Sequence, residues 1–194
     1  DGKGEQLFSI LKNYELNQCL KSALNKSKFI KFKKLKNNSL LHLKKKYNLI
    51  VNSDNKNFFT KKYFFKKLDK DYNSYAHTTF INHKNFKKNN TATQIFTEIG
   101  PIAFLPISDF QTSIVGSFKG NKNIDFKNLI KKYNFKYSIT KINKISCFEL
   151  KSSNLRSYYY QNILAFGELL HKLHPLAGQG FNMSIRDIKE LLDL

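Results

Sequence analysis

The stretch from Gly167 to Asn182 constrains the fold of this chain more than any other. Gln161-Asn162-Ile163-Leu164-Ala165-Phe166 is an apolar run of strand length, and the carboxylate of Glu168 follows it closely. A loop with His171, His174 and Pro175 comes next, and Gly178 and Gly180 lead into a helical pattern from about Phe181 to Leu194. Strand, carboxylate, glycine loop and helix in that order make an α/β unit, whose ligands sit beyond the carboxyl ends of the strands. Glycine allows close backbone approach and positive φ, expected here at Gly178 and Gly180. The free N–H groups of the next helical turn, with the helix dipole, favour an anion. A pyrophosphate suits such a place, as does the pyrimidine edge of a reduced, anionic flavin, and a strand-end carboxylate accepts hydrogen bonds from sugar-like hydroxyls. A Gly-x-Gly before a helix is also a common plain loop. His171 and His174 lack a third ligand nearby in sequence, so no metal site is expected, and a His before proline is held extended in any case.

The rest of the chain reads as mixed α and β. Leu16, Cys19, Leu20 and Leu24 fall at helical spacing and predict an amphipathic helix over 14–25. Phe29–Phe32, Leu40–Leu43 and Tyr47–Val51 read as strands, the last ending in the turn-rich Asn52-Ser53-Asp54-Asn55. A short helix is expected over 58–67 and another over 123–133. Residues 72–118 alternate as an antiparallel set punctuated by Gly100-Pro101 and Lys119-Gly120, and further strands are expected near 135–142 and 145–150. Two α/β flanks thus enclose an antiparallel middle.

The 194 residues carry a net charge of +20, but all cations except Arg156 and Arg186 are Lys. Base reading and planar phosphate clamps favour Arg. The lysines are spread among Asn, Ile, Phe and Tyr, residues that share A/T-rich codons, so compositional bias accounts for the excess without a ligand. An anionic membrane surface attracts Lys as well as Arg and stays open as a partner, whereas specific nucleic-acid binding is not expected. Cys19 and Cys147 form no CxxC, which excludes a disulfide scaffold and suits a reducing compartment. No apolar run approaches the roughly 20 residues of a membrane span.

Read whole, Gly167-Glu168-x-x-His171-x-x-His174-Pro175-Leu176-Ala177-Gly178-Gln179-Gly180-Phe181-Asn182, with Arg186-Asp187 beyond, resembles the second FAD motif of class A flavin monooxygenases. Its nearest likeness is the ubiquinone-biosynthesis hydroxylase branch. Ala92 to Pro106, with its Phe-Thr-x-x-Gly-Pro core, resembles that branch's substrate-domain sheet, and Leu49 to Asn55 stands where the family has a strand ending Ala-Asp-Gly. The resemblance implies a partial FAD/NAD(P)-binding, Rossmann-like α/β domain with an inserted, mostly antiparallel β-sheet substrate domain. Residues 1–60 and 150–194 would belong to the former and 61–149 to the latter. It implies FAD as cofactor and NAD(P)H as co-substrate, with one atom of molecular oxygen transferred to a polyprenylated phenol. Glu168 would meet the FAD ribityl chain, and Pro175 would lie beside the flavin ring. Gly178, Gln179, Gly180, Phe181 and Asn182 would face the pyrophosphate and the flavin's pyrimidine edge, and Asp54 would serve both FAD and NAD(P)H.

The departures are specific. Glu168 is one methylene longer than the family's Asp, Leu169-Leu170 replace small residues, and Asn55 replaces a glycine, tolerating left-handed φ better than most residues. None of the eight glycines forms a GxGxxG, so the chain reads as a fragment that would bind FAD weakly and be inactive alone. No catalytic residue is assigned; His77 and Tyr75 are candidates for lining the substrate pocket. The implied location is cytoplasmic, peripheral on the inner membrane, with a ubiquinone-biosynthesis complex as a further partner. A flavin monooxygenase acting on another aromatic ring, or a non-enzymatic basic protein on a membrane or nucleic acid, remains the alternative.

Overall fold

The computed structural model describes residues 9–34, 40–120, 122–173 and 179–193, without the side chains of Leu40, Leu41 and Gln179. His174, Pro175, Leu176, Ala177 and Gly178 lie outside the described residues. The chain is mixed α/β and forms two compact units, one of residues 1–32 with 74–149 and the other of 33–73 with 150–194. A seven-stranded sheet contributes to both, because its long strands β2 (Lys67–His83) and β7 (Ser146–Leu155) each cross a unit boundary.

The first unit is an antiparallel sheet whose strands do not all lie in chain order. The outer half of β2 pairs with β5 (Gln111–Lys119), β5 with β4 (Gly100–Ser108), and β4 with β3 (Thr93–Thr97), while β6 (Ile139–Ile142) pairs with the end of β2. Period-two alternation separates two faces. Ile81, Ile102, Phe104, Ile114 and Phe118 are buried against Phe126 and Ile130 of α4 (Phe126–Tyr133), which Asp125 caps by accepting from Asn128 N–H at 3.0 Å. Gly116 is required on that face, since a Cβ there would lie 2.6 Å from the Phe118 and Phe126 rings. The opposite face is half-buried apart from Phe80, which is exposed. Thr78, Val115 and Ala103 form one cross-strand row, and Phe80, Ser113 and Leu105 the next.

A buried polar chain runs along the edge of this core. His83 Nδ1 lies 2.9 Å from the Lys84 carbonyl and must carry the proton there, so Nε2 accepts from the Thr112 hydroxyl at 3.0 Å. Asn89 donates to Thr112 Oγ1 at 3.1 Å and to the Ser108 carbonyl at 2.8 Å, and Tyr137 O–H donates to Asn89 Oδ1 at 2.9 Å. A neutral His83 satisfies the chain throughout.

In the second unit β1 (Ile50–Asn52) pairs in parallel with β9 (Ile163–Ala165), and β9 pairs antiparallel with β8 (Tyr159–Tyr160). α2 (Leu40–Lys46) precedes β1 and α3 (Phe58–Tyr63) follows it. A 3-10 turn at Gly167–Leu169, β10 (His171–Lys172) on β7, and α5 (Gln179–Leu192) complete the unit. Phe59, Phe64, Leu155, Ile163, Ala165 and Leu169 make its core.

Three local expectations are not met. Phe29–Phe32 forms no strand and pairs with none among the described residues. Leu40–Leu43 lies in helix α2 rather than a strand, because an apolar run this short carries no period of its own and the following lysines extend it as a helix. α1 (Asn13–Lys26) forms as expected, yet none of its residues is buried and Leu20 and Leu24 stay exposed.

Asn89→Ala strands the Tyr137 hydroxyl and removes two further bonds, and should lower the unfolding free energy by about 2–3 kcal/mol, against about 1 for Tyr137→Phe. Denaturant titration measures both. A second expectation concerns Asp71, held below the usual carboxylate range chiefly by the Asn73 N–H at 2.8 Å on Oδ1, with Lys151 adding a smaller pull from 3.3 Å. Its stabilising contribution is present above the unfolded-state value and is lost as pH falls through the depressed folded value. The carboxyl chemical shift of Asp71 should therefore titrate at lower pH than that of a model peptide.

Candidate functional site

Parallel pairing brings the carboxyl ends of β1 and β9 to one edge. Asn52 stands opposite Ala165 in register, so Asp54 leaves β1 and Glu168 leaves β9 on the same side of this small sheet. Antiparallel strands would have sent the two carboxylates to opposite ends.

The loop after β1 is built on amides. Asn52, only 4% exposed, donates to Thr60 Oγ1 at 2.9 Å and accepts from the Asn57 side chain. Asn57 Oδ1 in turn caps α3 by accepting from Thr60 N–H at 2.9 Å, and the Thr60 hydroxyl donates to the Asp54 carbonyl. The Asp54 side chain bends the tip by accepting from Lys56 N–H at 2.7 Å. Asn55 does not take a positive φ; the Asp54 turn does the work expected of a left-handed residue there. Sequence reasoning missed Asn52, Asn57 and Thr60, although a cap residue three positions before a Thr at the head of an apolar run was a readable helix start.

The turn after β9 depends on Gly167, whose φ is +63°. The positive φ falls here and not at Gly180, which lies inside α5, and Gly178 is outside the described residues. Glu168 follows in the 3-10 turn with its side chain exposed, while Leu169 beside it is buried at 2% exposure. The leucine that replaces a small residue therefore fills the core rather than crowding the loop.

α5 carries no acidic residue in its first turn, and a Cβ added at Gly180 would meet nothing within 4 Å among the described residues. Phe181 and Asn182 are exposed in that turn; Gln179 is placed there by backbone alone, and Pro175 is not described. His171 faces Asp187 of α5, with Nε2 to Oδ2 at 3.1 Å. The pair meets at an angle outside hydrogen-bond geometry, and neither buried atom has another partner among the described residues. His171 is thereby occupied with α5. No group of three or more His, Cys, Asp or Glu able to hold a metal ion occurs among the described residues.

His77 and Tyr75 belong to the α4-facing side of the first unit's sheet. His77 is 3% exposed, 5.6 Å from both Phe118 and Phe126, and its Nε2 bonds the Lys122 carbonyl at 3.0 Å. It is a packed sheet residue on the side away from the open face.

No family model matches the chain. Curated relatives do. The 3-demethoxyubiquinol 3-hydroxylase of Escherichia coli is 29% identical over 110 residues, which cover 52% of this chain and 28% of that protein. Human mitochondrial ubiquinone biosynthesis monooxygenase COQ6 is 27% identical over 147 residues, covering 54% of this chain and 31% of that protein. The chain thus spans about a third of the length of the relatives it matches. Among solved structures, the flavin-dependent halogenase BrvH of Brevundimonas sp. BAL3 superposes with a TM-score of 0.55 at 11% identity, over 75% of this chain and 30% of that one. The flavin-dependent halogenase CmlS gives 0.54 at 14%, over 70% and 28%. Over the matched part the fold is similar to that of these flavin-dependent halogenases, and the sequence is similar to that of the ubiquinone-biosynthesis hydroxylases.

Gly167→Ala should cost about 1 kcal/mol through backbone conformation alone, because the nearest neighbour of the new methyl is Ser184 Oγ at 3.8 Å. Asn52→Ala, which strands Thr60 and Asn57, should cost about 2 kcal/mol or more. Thermal unfolding of the two variants checks the order.

Proposed function

We propose that this chain is the part of an FAD-dependent aromatic monooxygenase that holds the flavin half of the cofactor and the substrate sheet. The observation that carries this is the parallel pairing of β1 with β9, which puts the segments bearing Asp54 and Glu168 after the same end of the sheet, together with α5, whose first turn holds no acidic residue. A Rossmann-like identity for the second unit rests on the parallel β1–β9 pair. The division into FAD-binding segments 1–60 and 150–194 around a substrate segment 61–149 follows the motif resemblance.

The residues fit the cofactor. The N–H groups at the start of α5, around Gly178, Gln179, Gly180, Phe181 and Asn182, would hold the pyrophosphate and the pyrimidine edge. The first turn of α5 holds no acidic side chain to compete for the anion, and no described residue crowds Gly180. Glu168, exposed and one methylene longer than Asp, would accept from the ribityl hydroxyls, Pro175 would flank the ring, and Asp54 would serve FAD and NAD(P)H from its amide-braced loop. The bound flavin supplies the oxygen chemistry, drawing electrons from NAD(P)H and oxidant from molecular oxygen. The protein's part is to orient the ring, balance its charge and keep water away. The face of Thr78, Val115, Ala103, Phe80, Ser113 and Leu105, half-buried apart from Phe80, suits an apolar phenol ring, with two hydroxyls to steer its polar end. The substrate we assign is a polyprenylated phenol of ubiquinone biosynthesis, reached from an anionic inner-membrane surface on the cytoplasmic side, with a ubiquinone-biosynthesis complex as further partner. No helix among the described residues is long and apolar enough to cross a membrane. The chain alone is proposed to be inactive.

Gly180→Asp separates cofactor binding from folding. An acidic residue in the first turn of α5 favours the helix dipole and repels an anionic cofactor. FAD titration followed by flavin fluorescence should weaken tenfold or more, a loss of about 1.4 kcal/mol, at an unchanged or higher Tm. Equal FAD binding by variant and parent would sink the placement of the cofactor on α5.

A further inference from the structure

The second unit carries a surface in which lysine ammoniums lie on tyrosine rings. Tyr63 of α3 and Tyr160 of β8 stack with centroids 4.1 Å apart at 11°. Lys44 Nζ sits at the edge of the stack, 4.9 Å from Tyr63 and 4.8 Å from Tyr160. Lys62 Nζ lies 5.5 Å from Tyr63 and 5.4 Å from Phe58. The arrangement is built, because Asn162 donates to the Lys44 carbonyl at 2.9 Å and the Tyr47 carbonyl at 2.7 Å. That side chain ties the last turn of α2, with Lys44, Lys45 and Lys46, to the β8–β9 turn that presents Tyr160. Tyr160 stays 40% exposed and its chain neighbour Tyr159 69%. Neither Lys44 nor Lys62 has a carboxylate partner within ion-pair distance among the described residues.

We infer that this Lys44–Lys62–Tyr63–Tyr160 surface docks the chain on an anionic lipid headgroup layer. The inference locates the membrane contact proposed above and is independent of the flavin. Aromatic rings with one polar end and lysines with long apolar stems both settle at the boundary between headgroup and acyl chain. Lysine without arginine provides attraction to phosphate and no planar, bidentate recognition. A lipid surface asks for the first alone. A nucleic-acid strand would be stacked on free ring faces, whereas here Tyr63 and Tyr160 each give one face to the other, with Lys44 at the edge of the stack.

Co-sedimentation of the full chain with phosphatidylcholine vesicles, with and without about one third phosphatidylglycerol, tests this. Binding should need the anionic lipid. Lys44→Gln with Lys62→Gln should weaken it about thirtyfold, taking about 1 kcal/mol per lysine and 1.4 kcal/mol per factor of ten. Lys131→Gln with Lys132→Gln on α4 removes the same charge elsewhere and should change binding less than threefold. Tyr160→Ser should weaken binding while leaving its salt dependence intact. If both lysine pairs weaken binding equally, the surface is wrong although membrane contact stands. Absence of binding to anionic vesicles overturns both. Tighter binding to an oligo-dT strand than to the vesicles, lost in Tyr160→Ser, overturns the lipid assignment.

Discussion

The parallel pairing of β1 with β9 is the constraint from which the site follows. Three residues on each strand are enough to fix direction, and direction puts the segments that carry Asp54 and Glu168 after the same end of the sheet. Everything around the pair serves to hold it. The Asn162 N-terminal to β9 anchors α2, the Phe166 N–H reaches the Asn52 carbonyl at 2.9 Å, and Leu169 locks the 3-10 turn into the apolar core. Parallel sheets owe their stability to burial on their faces, and the side chains of Ile163 and Ala165, both 0% exposed, supply it on β9.

Amides rather than charges organise the polar parts of both units. In the second unit the Asn52–Asn57–Thr60 knot has neutral donors and acceptors matched one to one. In the first unit the chain from Tyr137 to His83 does the same with one neutral imidazole. Neutral networks cost less to bury than ion pairs because no ion must be desolvated. A chain with a net charge of +20 has few carboxylates to pair internally, and its abundant Asn takes that part.

Legibility in the sequence followed how far each signal depends on neighbours distant in the chain. The helices at α4 and α5 and the strands from β2 to β5 were readable because their periods are local, whereas the placing of β5 beside β2 was not. The Gly167–Asn182 segment was readable because strand, carboxylate, glycine and helix stand within one short stretch. Leu40–Leu43 was misread because four apolar residues carry no period, and the Asn162 bonds that hold the end of that helix come from more than a hundred residues away. The face of His77 was undecidable from sequence, since alternation gives two faces but only the docking of α4 says which is covered. Asn52 was hidden for the same reason: its role exists only once Thr60 has folded back on it.

Glu168 is the residue where sequence and structure together say most. A strand that ends in an ordinary extended residue would carry its last side chains straight out. Gly167 at φ +63° turns the backbone first, so Glu168 starts from the 3-10 turn and not from β9 itself. The turn leaves the carboxylate in solvent while sending Leu169 inward, so that the larger apolar residue is absorbed by the core and the longer acidic one keeps its reach. A change from Asp to Glu is most easily accommodated where the side chain is unconfined, and this is such a place. The two departures from the motif, a longer acid and a larger apolar neighbour, therefore fall on one 3-10 turn that parts them: the leucine anchors the turn in the core, and the acid extends into solvent.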